Sequence, residues 1–433
     1  MYVKLADAYA DTALGQEAQD LLSPCVQCGQ CTFICPTFRL LDDEWDGPRG
    51  RIYLIQKLME GKSPETDEGL LPAYTLTTLQ GRSLEANLQL HLDRCLTCRS
   101  CEAACPQGVR YGRLLDIGRE LVEKKVRRPL KERLWRRTLR AVLPYRHRFT
   151  PLLRLGQTLR PLLPDNLRTR IPTPRTAGPW PDRAHRRTML VWQGCVQPAL
   201  APDINAAAAR VLDRCGIRLI PASDGCCGAL SQHMSAMGEA RDHMRRNIDA
   251  MWPHIEAGIE AIVLTASGCG AHFRDYGHLL RDDPAYGDKA RRVSELTRDI
   301  AEIVAGEWEK GTLAPPPLSE KPRRIAFQAS CSLQHSQRLN GVVEGLLRQA
   351  GYKLVPVRYG FMCCGSAGSY SILQRKISEG LRGLKLETLL STRPQAIATA
   401  NIGCLTHLAA ASPVPVNHWI ELLDETLSAA VPH

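Results

Sequence analysis

Apolar residues follow two regimes along this chain. In the first third they recur at helical intervals. RIYLIQKLME carries Ile52, Leu54, Ile55, Leu58 and Met59 on one face, which predicts a helix over 51–60 stopped by Gly61. LEANLQLHLDR, just before Cys95, predicts another. Beyond about residue 187, short apolar runs alternate with helical patterns. RRTMLVWQG, IRLIPA and IEAIVLTASG predict strands, and so do RRIAFQAS, KLVPV and PQAIATANIG. ALAPDINAAAARVLDRCG and QRLNGVVEGLLRQAG predict helices closed by Gly216 and Gly351. Strand–helix alternation points to parallel α/β units. The expected fold class is α/β, with an N-terminal mainly helical domain and a duplicated α/β C-terminal half.

Cysteines mark the duplication. The first unit has Cys195, the pair Cys226–Cys227 followed by Gly228, and Cys269. The second has Cys331, the pair Cys363–Cys364 followed by Gly365, and Cys404. The steps are 31 and 42 residues in the first unit and 32 and 40 in the second, which marks an internal repeat. Each set falls at the carboxyl ends of predicted strands, where open α/β sheets bind ligands. The glycine after each pair lets the backbone take φ > 0 or approach a bulky group. Two adjacent thiols do not easily face one zinc ion, but they can face different irons of a larger centre. One reading is therefore a further Fe–S cluster in at least one unit; the other is structural or zinc-binding cysteines. His272 and His407, each three residues after a cysteine, and His335 are weaker ligand candidates. Cys215 reads as a small buried apolar residue.

The helical third carries CVQCGQCTFICP (Cys25 to Pro36) and CLTCRSCEAACP (Cys95 to Pro106). Each is the Cys-x2-Cys-x2-Cys-x3-Cys-Pro run that ligates 4Fe-4S cubanes, the fourth cysteine serving the other cluster. Cluster one is assigned Cys25, Cys28, Cys31 and Cys105. Cluster two is assigned Cys95, Cys98, Cys101 and Cys35. Zinc sites read instead as separated cysteine pairs.

Seventeen cysteines in 433 residues do not describe a small disulfide scaffold. MYVKLADAYADTALG has no apolar core of the kind a signal peptide carries, and no run of 18 apolar residues occurs. The expectation is a cytoplasmic chain without a spanning helix. The net charge of +11 is uneven: Arg113 to Arg187 holds 21 Lys and Arg against 6 Asp and Glu. Leu130, Leu134, Leu139 and Val142 recur at helical spacing within it. A solvated helical linker, a surface for anionic lipid and a dock for an acidic partner all remain open. No recognition motif points to nucleic acid. The expected domains are 1–128 (two clusters), 129–187 (basic, Pro-rich linker), 188–316 and 317–433 (one α/β unit each).

Two ferredoxin runs followed by two Cys-Cys-Gly units resemble the iron–sulfur subunit of glycolate oxidase over nearly the whole chain. The resemblance is carried by DGPRGRIYLIQKLMEG (Asp46 to Gly61), HLDRCLTCRSCEAACPQGVRYGRLLDIGR (His91 to Arg119), TASGCGA and TANIGCLTHLA. Subunits of anaerobic glycerol-3-phosphate dehydrogenase and heterodisulfide reductase share the layout. QASCSLQH departs from it in having a single Cys331. The resemblance implies a three-subunit complex that oxidises glycolate to glyoxylate, with FAD on partner flavin-containing dehydrogenase subunits and electrons passing towards a membrane quinone pool. It also implies peripheral contact with the cytoplasmic face of the inner membrane.

The chemistry agrees. A hydride equivalent leaves the substrate and a cubane takes one electron, so a flavin must stand between them. GSAGSY (Gly365 to Tyr370) lacks the dinucleotide context, and no general-base constellation stands out. No catalytic residue is assigned, and the isolated chain is expected to be inactive on glycolate. The alternatives are the same subunit in a lactate or glycerol-3-phosphate dehydrogenase complex, a catalytic disulfide or quinone reductase built on the Cys-Cys-Gly units, and a zinc scaffold.

Overall fold

The computed structural model of the protein describes residues 3–62, 83–164, 168–169, 171–222, 225–313 and 321–429. The boundary expected at 316/317 lies outside the described residues. The chain divides into two compact units, Met1–Trp135 with Phe361–Gly383, and Arg136–Gly360 with Leu384–His433. Among the described residues no helix is long and apolar enough to cross a membrane.

The first unit is helical. Helix Pro48–Glu60 begins with Pro48, whose missing N–H costs nothing in a first turn, and ends on Gly61 at φ 66°. Its Leu54, Ile55, Leu58 and Met59 are packed with Leu88 and Leu92 of helix Leu84–Asp93 and Leu114, Leu115 and Ile117 of helix Tyr111–Lys125. Each buried side chain of this size contributes roughly 1.5–3 kcal/mol. A cation sits inside this core. Arg51 Nε donates to His91 O at 2.8 Å, and its Nη2 lies 3.4 Å from Asp46 Oδ1. Asp46 also takes Arg94 at 2.6 Å and His91 Nδ1 at 3.0 Å. Burial pushes the Asp46 carboxyl up, but the His91 hydrogen bond and the Arg51 and Arg94 charges hold it below its ordinary range.

The second unit holds two four-stranded sheets, all parallel. The first is β1 (Arg187–Trp192), β2 (Ile217–Pro221), β3 (Ile262–Leu264) and β4 (Thr297–Asp299), in the order β2-β1-β3-β4. The second repeats it with β5 (Arg324–Gln328), β6 (Lys353–Val355), β7 (Ala396–Thr399) and β8 (Val416–His418), in the order β6-β5-β7-β8. Met189 to Trp192, all of β3 and all of β7 are buried, as strands covered on both faces require. The predicted strand before Cys195 ends earlier than the cysteine. Gly194 at φ 83° turns the chain out of β1. β4 and β8, both three residues long, extend the predicted set.

The two sheets are tied at their carboxyl ends. Ser267 N donates to Ala400 O at 3.2 Å. Gln337 Nε2 donates to Ser267 O at 3.1 Å and to Asp299 Oδ2 at 3.2 Å, while His418 Nε2 lies 3.0 Å from Thr265 O. The last residue of each fourth strand, Asp299 and His418, thus bonds across to the other repeat.

Candidate metal centres

The two ferredoxin loops share one backbone path. Gln27 and Thr97 have φ of 56° and 55°, and Gly29 and Arg99 have φ of 79° and 56°. Left-handed residues at these positions turn backbone N–H groups into a concavity suited to negative charge. Such a conformation costs a non-glycine residue about 1–3 kcal/mol, so the surroundings must hold it. Arg119 does so for the second loop: Nη1 donates to Thr97 Oγ1 at 3.0 Å, and Nη2 to Leu92 O and Cys95 O, each at 2.9 Å. The one-turn helices Gln30–Phe33 and Ser100–Ala103 follow the loops and carry the chain to Cys35 and Cys105.

The thiols gather in two crossed sets. Cys25, Cys28, Cys31 and Cys105 line one pocket, with Ile52, Val109 and Tyr111 as apolar and aromatic neighbours; Cys101 also reaches it. Cys35, Cys95, Cys98 and Cys101 line another, beside Thr37 and Arg51. Burial, then the charges of Cys25 and Cys105, pushes the Cys31 thiol up to about 12. Burial, then Cys98, Cys95 and Cys35, raises Cys101 well above its ordinary value. Thiols packed this way resist ionisation until a cation is present, which is how metal binding couples to proton release. Four soft donors around an apolar pocket fit an iron–sulfur cube. Sulfur also meets polar hydrogens: Tyr111 Oη donates to Cys95 Sγ at 3.8 Å, Thr97 N to Cys95 Sγ at 3.5 Å and Val109 N to Cys105 Sγ at 3.5 Å. Arg51, Arg119 and Tyr111 were not singled out from the sequence. The only signal for them was their place inside the motif stretches 46–61 and 91–119.

The first Cys-Cys-Gly set also converges. Cys195 follows β1, Cys226 and Cys227 follow β2, and Cys269 lies in helix Ser267–Arg274 after β3. In the order β2-β1-β3 the chain leaves β1 in opposite directions, which opens a crevice at the strand ends. The four thiols form a chain of contacts, Cys195 to Cys226, Cys226 to Cys227 and Cys227 to Cys269. Hydrogen bonds from Cys195 and Cys227 draw Cys226 well below its ordinary value, while those same contacts raise its neighbours. The loop carbonyls are fixed: Asn247 Nδ2 donates to Cys226 O at 2.8 Å and Tyr276 Oη to Cys227 O at 2.6 Å. Gly228 has φ 98°, and a Cβ there would lie 3.0 Å from Ala240 O and 3.2 Å from His272 Nε2. Gly365, its counterpart, has φ 90°, with Ser378 O only 2.6 Å from where a Cβ would be. The glycine of each motif is thus required by both backbone and space.

The remaining cysteines are placed as follows. Cys331 and Cys404 belong to the second compact unit, and Cys363 and Cys364 to the first. Cys363, Cys364 and Cys404 are buried; Cys331 is half-buried. Tyr370, in the segment that carries Cys363, donates from Oη to Arg94 O at 2.9 Å, one residue before Cys95. His272 is buried edge-on to Tyr276, while His335 and His407 are half-buried. Cys215 is buried, its thiol donating to Val211 O at 3.4 Å.

A two-cluster ferredoxin domain joined to a duplicated cysteine-rich α/β domain defines an iron–sulfur protein, and comparison with known proteins agrees. The 4Fe-4S dicluster domain family matches residues 21–109, and the cysteine-rich CCG domain family matches 189–274 and again 325–409. The glycolate oxidase iron–sulfur subunit of Escherichia coli K12 is 46% identical over 430 residues, covering 99% of each chain. A probable glycolate oxidase iron–sulfur subunit of Bacillus subtilis is 28% identical, covering 89% of this chain and 87% of its own. Lactate utilization protein A of Bacillus subtilis is 26% identical over 53% of this chain. The chain belongs to the family of glycolate oxidase iron–sulfur subunits.

Proposed function

We propose that this chain is the electron-transfer subunit of a flavin-linked glycolate oxidase, holding two 4Fe-4S cubanes and a further iron–sulfur centre. The carrying observation is the crossed arrangement: Cys105 of the second run lines the pocket of Cys25, Cys28 and Cys31, which Cys101 also reaches, and Cys35 of the first run lines the pocket of Cys95, Cys98 and Cys101. Cys25, Cys28, Cys31 and Cys105 hold one cubane; Cys95, Cys98, Cys101 and Cys35 hold the second; Cys195, Cys226, Cys227 and Cys269 hold the further centre. Bound there, such centres relay single electrons from FAD on partner subunits towards a quinone acceptor. The protein's own groups set the sites. Arg119 braces the second loop, Tyr111 meets the Cys95 sulfur, and Arg51 places a buried positive charge beside Cys35 and Cys95. Positive charge and hydrogen bonds at sulfur favour the more negative, reduced state of a cluster.

The reading includes peripheral membrane contact. Helix Arg146–Leu159 exposes Leu152, Leu155 and Leu159, and Leu162 just beyond it is exposed as well. Arg146, Arg148, Arg154 and Arg160 accompany them, and no acidic residue occurs from 146 to 164. Exposed leucines among arginines match an anionic lipid surface.

Replacing Cys98 with Ser tests the path. The expected result is loss of about four irons per chain and of quinone-linked turnover in the assembled complex, while glycolate still reduces the flavin. Undiminished quinone turnover would sink the proposal.

A further inference from the structure

The second unit holds an open cleft of about 680 Å³ that reaches the first Cys-Cys-Gly set, Cys226 being among the residues that line it. One wall comes from Tyr145 and helix Arg146–Leu159, through Arg146, His147, Thr150 and Arg154. The other comes from Trp192 at the end of β1 and from His243 and Arg246 of helix Met237–Glu256. Among the described residues no aspartate or glutamate lines it. Apart from Pro144, Pro151 and Ala250, its side chains are aromatic or carry polar donors and cations.

We propose that this cleft is a quinone site, where electrons leave the chain. The proposal rests on the reading that Cys195, Cys226, Cys227 and Cys269 hold an iron–sulfur centre. Three features select the ligand. Tyr145, half-buried, with Arg148 over one face and the His243 ring 5.8 Å away, offers aromatic surface for a ring, while Trp192, 2% exposed, adds only an edge to the wall. The arginines and His147 suit a ligand that carries only acceptors, as the two carbonyl oxygens of a quinone do. The helix that forms one wall turns Leu152, Leu155 and Leu159 to solvent on its other side. A ligand dissolved in lipid therefore meets apolar surface on its way in, which a small soluble anion does not need.

The cationic lining also fits the order of events. Electrons arrive singly, so the ring bears negative charge before its protons come, and fixed donors and cations stabilise charge where it develops. Two electrons from glycolate oxidation and two protons convert the quinone carbonyls to hydroxyls. Arg246 Nη2 donates to His243 Nδ1 at 2.9 Å, which leaves the His243 proton on Nε2. His147 and water in the open cleft supply the protons.

The test is binding of 2-methyl-1,4-naphthoquinone to the full chain, followed by tryptophan quenching, in wild type, Arg154→Gln and Arg246→Gln. The expected result is saturable binding, weakened about tenfold or more in each variant (1.4 kcal/mol per tenfold), with iron content unchanged. Arg154 is the safer variant, since its guanidinium has no partner among the described residues. Equal affinity in wild type and Arg154→Gln would overturn the proposal. Displacement of the quinone by 50 mM phosphate would also overturn it, by making the cleft a simple anion site. Arginine-dependent quinone binding in a chain whose iron stops at about eight would keep the site but remove the adjoining centre.

Discussion

Buried charge decides much at the level of single residues. Asp299 ends β4, caps the helix Ile300–Glu309 and accepts from Gln337 of the other repeat. Burial pushes its carboxyl up to about 7, against the Ala301 N–H and Gln337 hydrogen bonds that pull it down. The folded state therefore favours the protonated acid. Its contribution is fully present below the unfolded value of 3.8, falls as the pH rises, and is lost above about 7. Asp299→Asn keeps the cap, since Asn serves that position as well as Asp. The variant's stability relative to wild type is expected to rise between pH 5 and pH 8, by on the order of 3 kcal/mol. Parallel wild-type and variant profiles from pH 5 to 8 would refute this. Crossed ligation also makes a residue-level prediction. Cys105→Ser should disturb the EPR signal of the cubane whose other ligands are Cys25, Cys28 and Cys31, leaving the second cubane intact. Loss of the second cubane alone would mean that each run serves its own cluster.

Elements were legible where their burial was one-sided or complete. Helix Pro48–Glu60 was readable from Ile52 to Met59 because one face is apolar, and β1, β3 and β7 because both their faces are covered. β4 and β8 were not, because Thr-Arg-Asp and Val-Asn-His are three residues long and mostly polar. What places them is backbone pairing to β3 and β7, which leaves no periodicity. The basic amphipathic pattern was read at Leu130, Leu134, Leu139 and Val142, which fall in helix Leu130–Val142; helix Arg146–Leu159 of the same basic segment was not distinguished, and the sequence left the segment's partner open. Its exposed Leu152, Leu155 and Leu159 now predict binding to vesicles containing anionic lipid. Salt should weaken that binding, since exposed charge is screened beyond about 10 Å at 0.1 M. Leu155→Asp should weaken it at any salt. Equal binding to neutral and anionic vesicles, or binding indifferent to Leu155→Asp, would count against membrane docking.

For the whole molecule, the cysteines were legible because ligand spacing is a local property of the sequence, and the repeat because its period is regular. Arg51 and Arg119 were not, since an arginine in a helix reads as surface until the core around it is known. Nor does any signal in the sequence assign Phe361–Gly383, with Cys363 and Cys364, to the compact unit of the ferredoxin runs. That depends on contacts far apart in the chain, such as Tyr370 to Arg94.

The central claim is a chain of iron–sulfur centres that includes the first Cys-Cys-Gly set. Iron and acid-labile sulfide per chain, with EPR after reduction, on anaerobically purified wild type and Cys226→Ser, test it most directly. The account predicts about twelve irons or more in wild type, falling to about eight in the variant with loss of one signal. About eight in both would confine the clusters to the ferredoxin runs. Zinc in place of iron would contradict the account altogether.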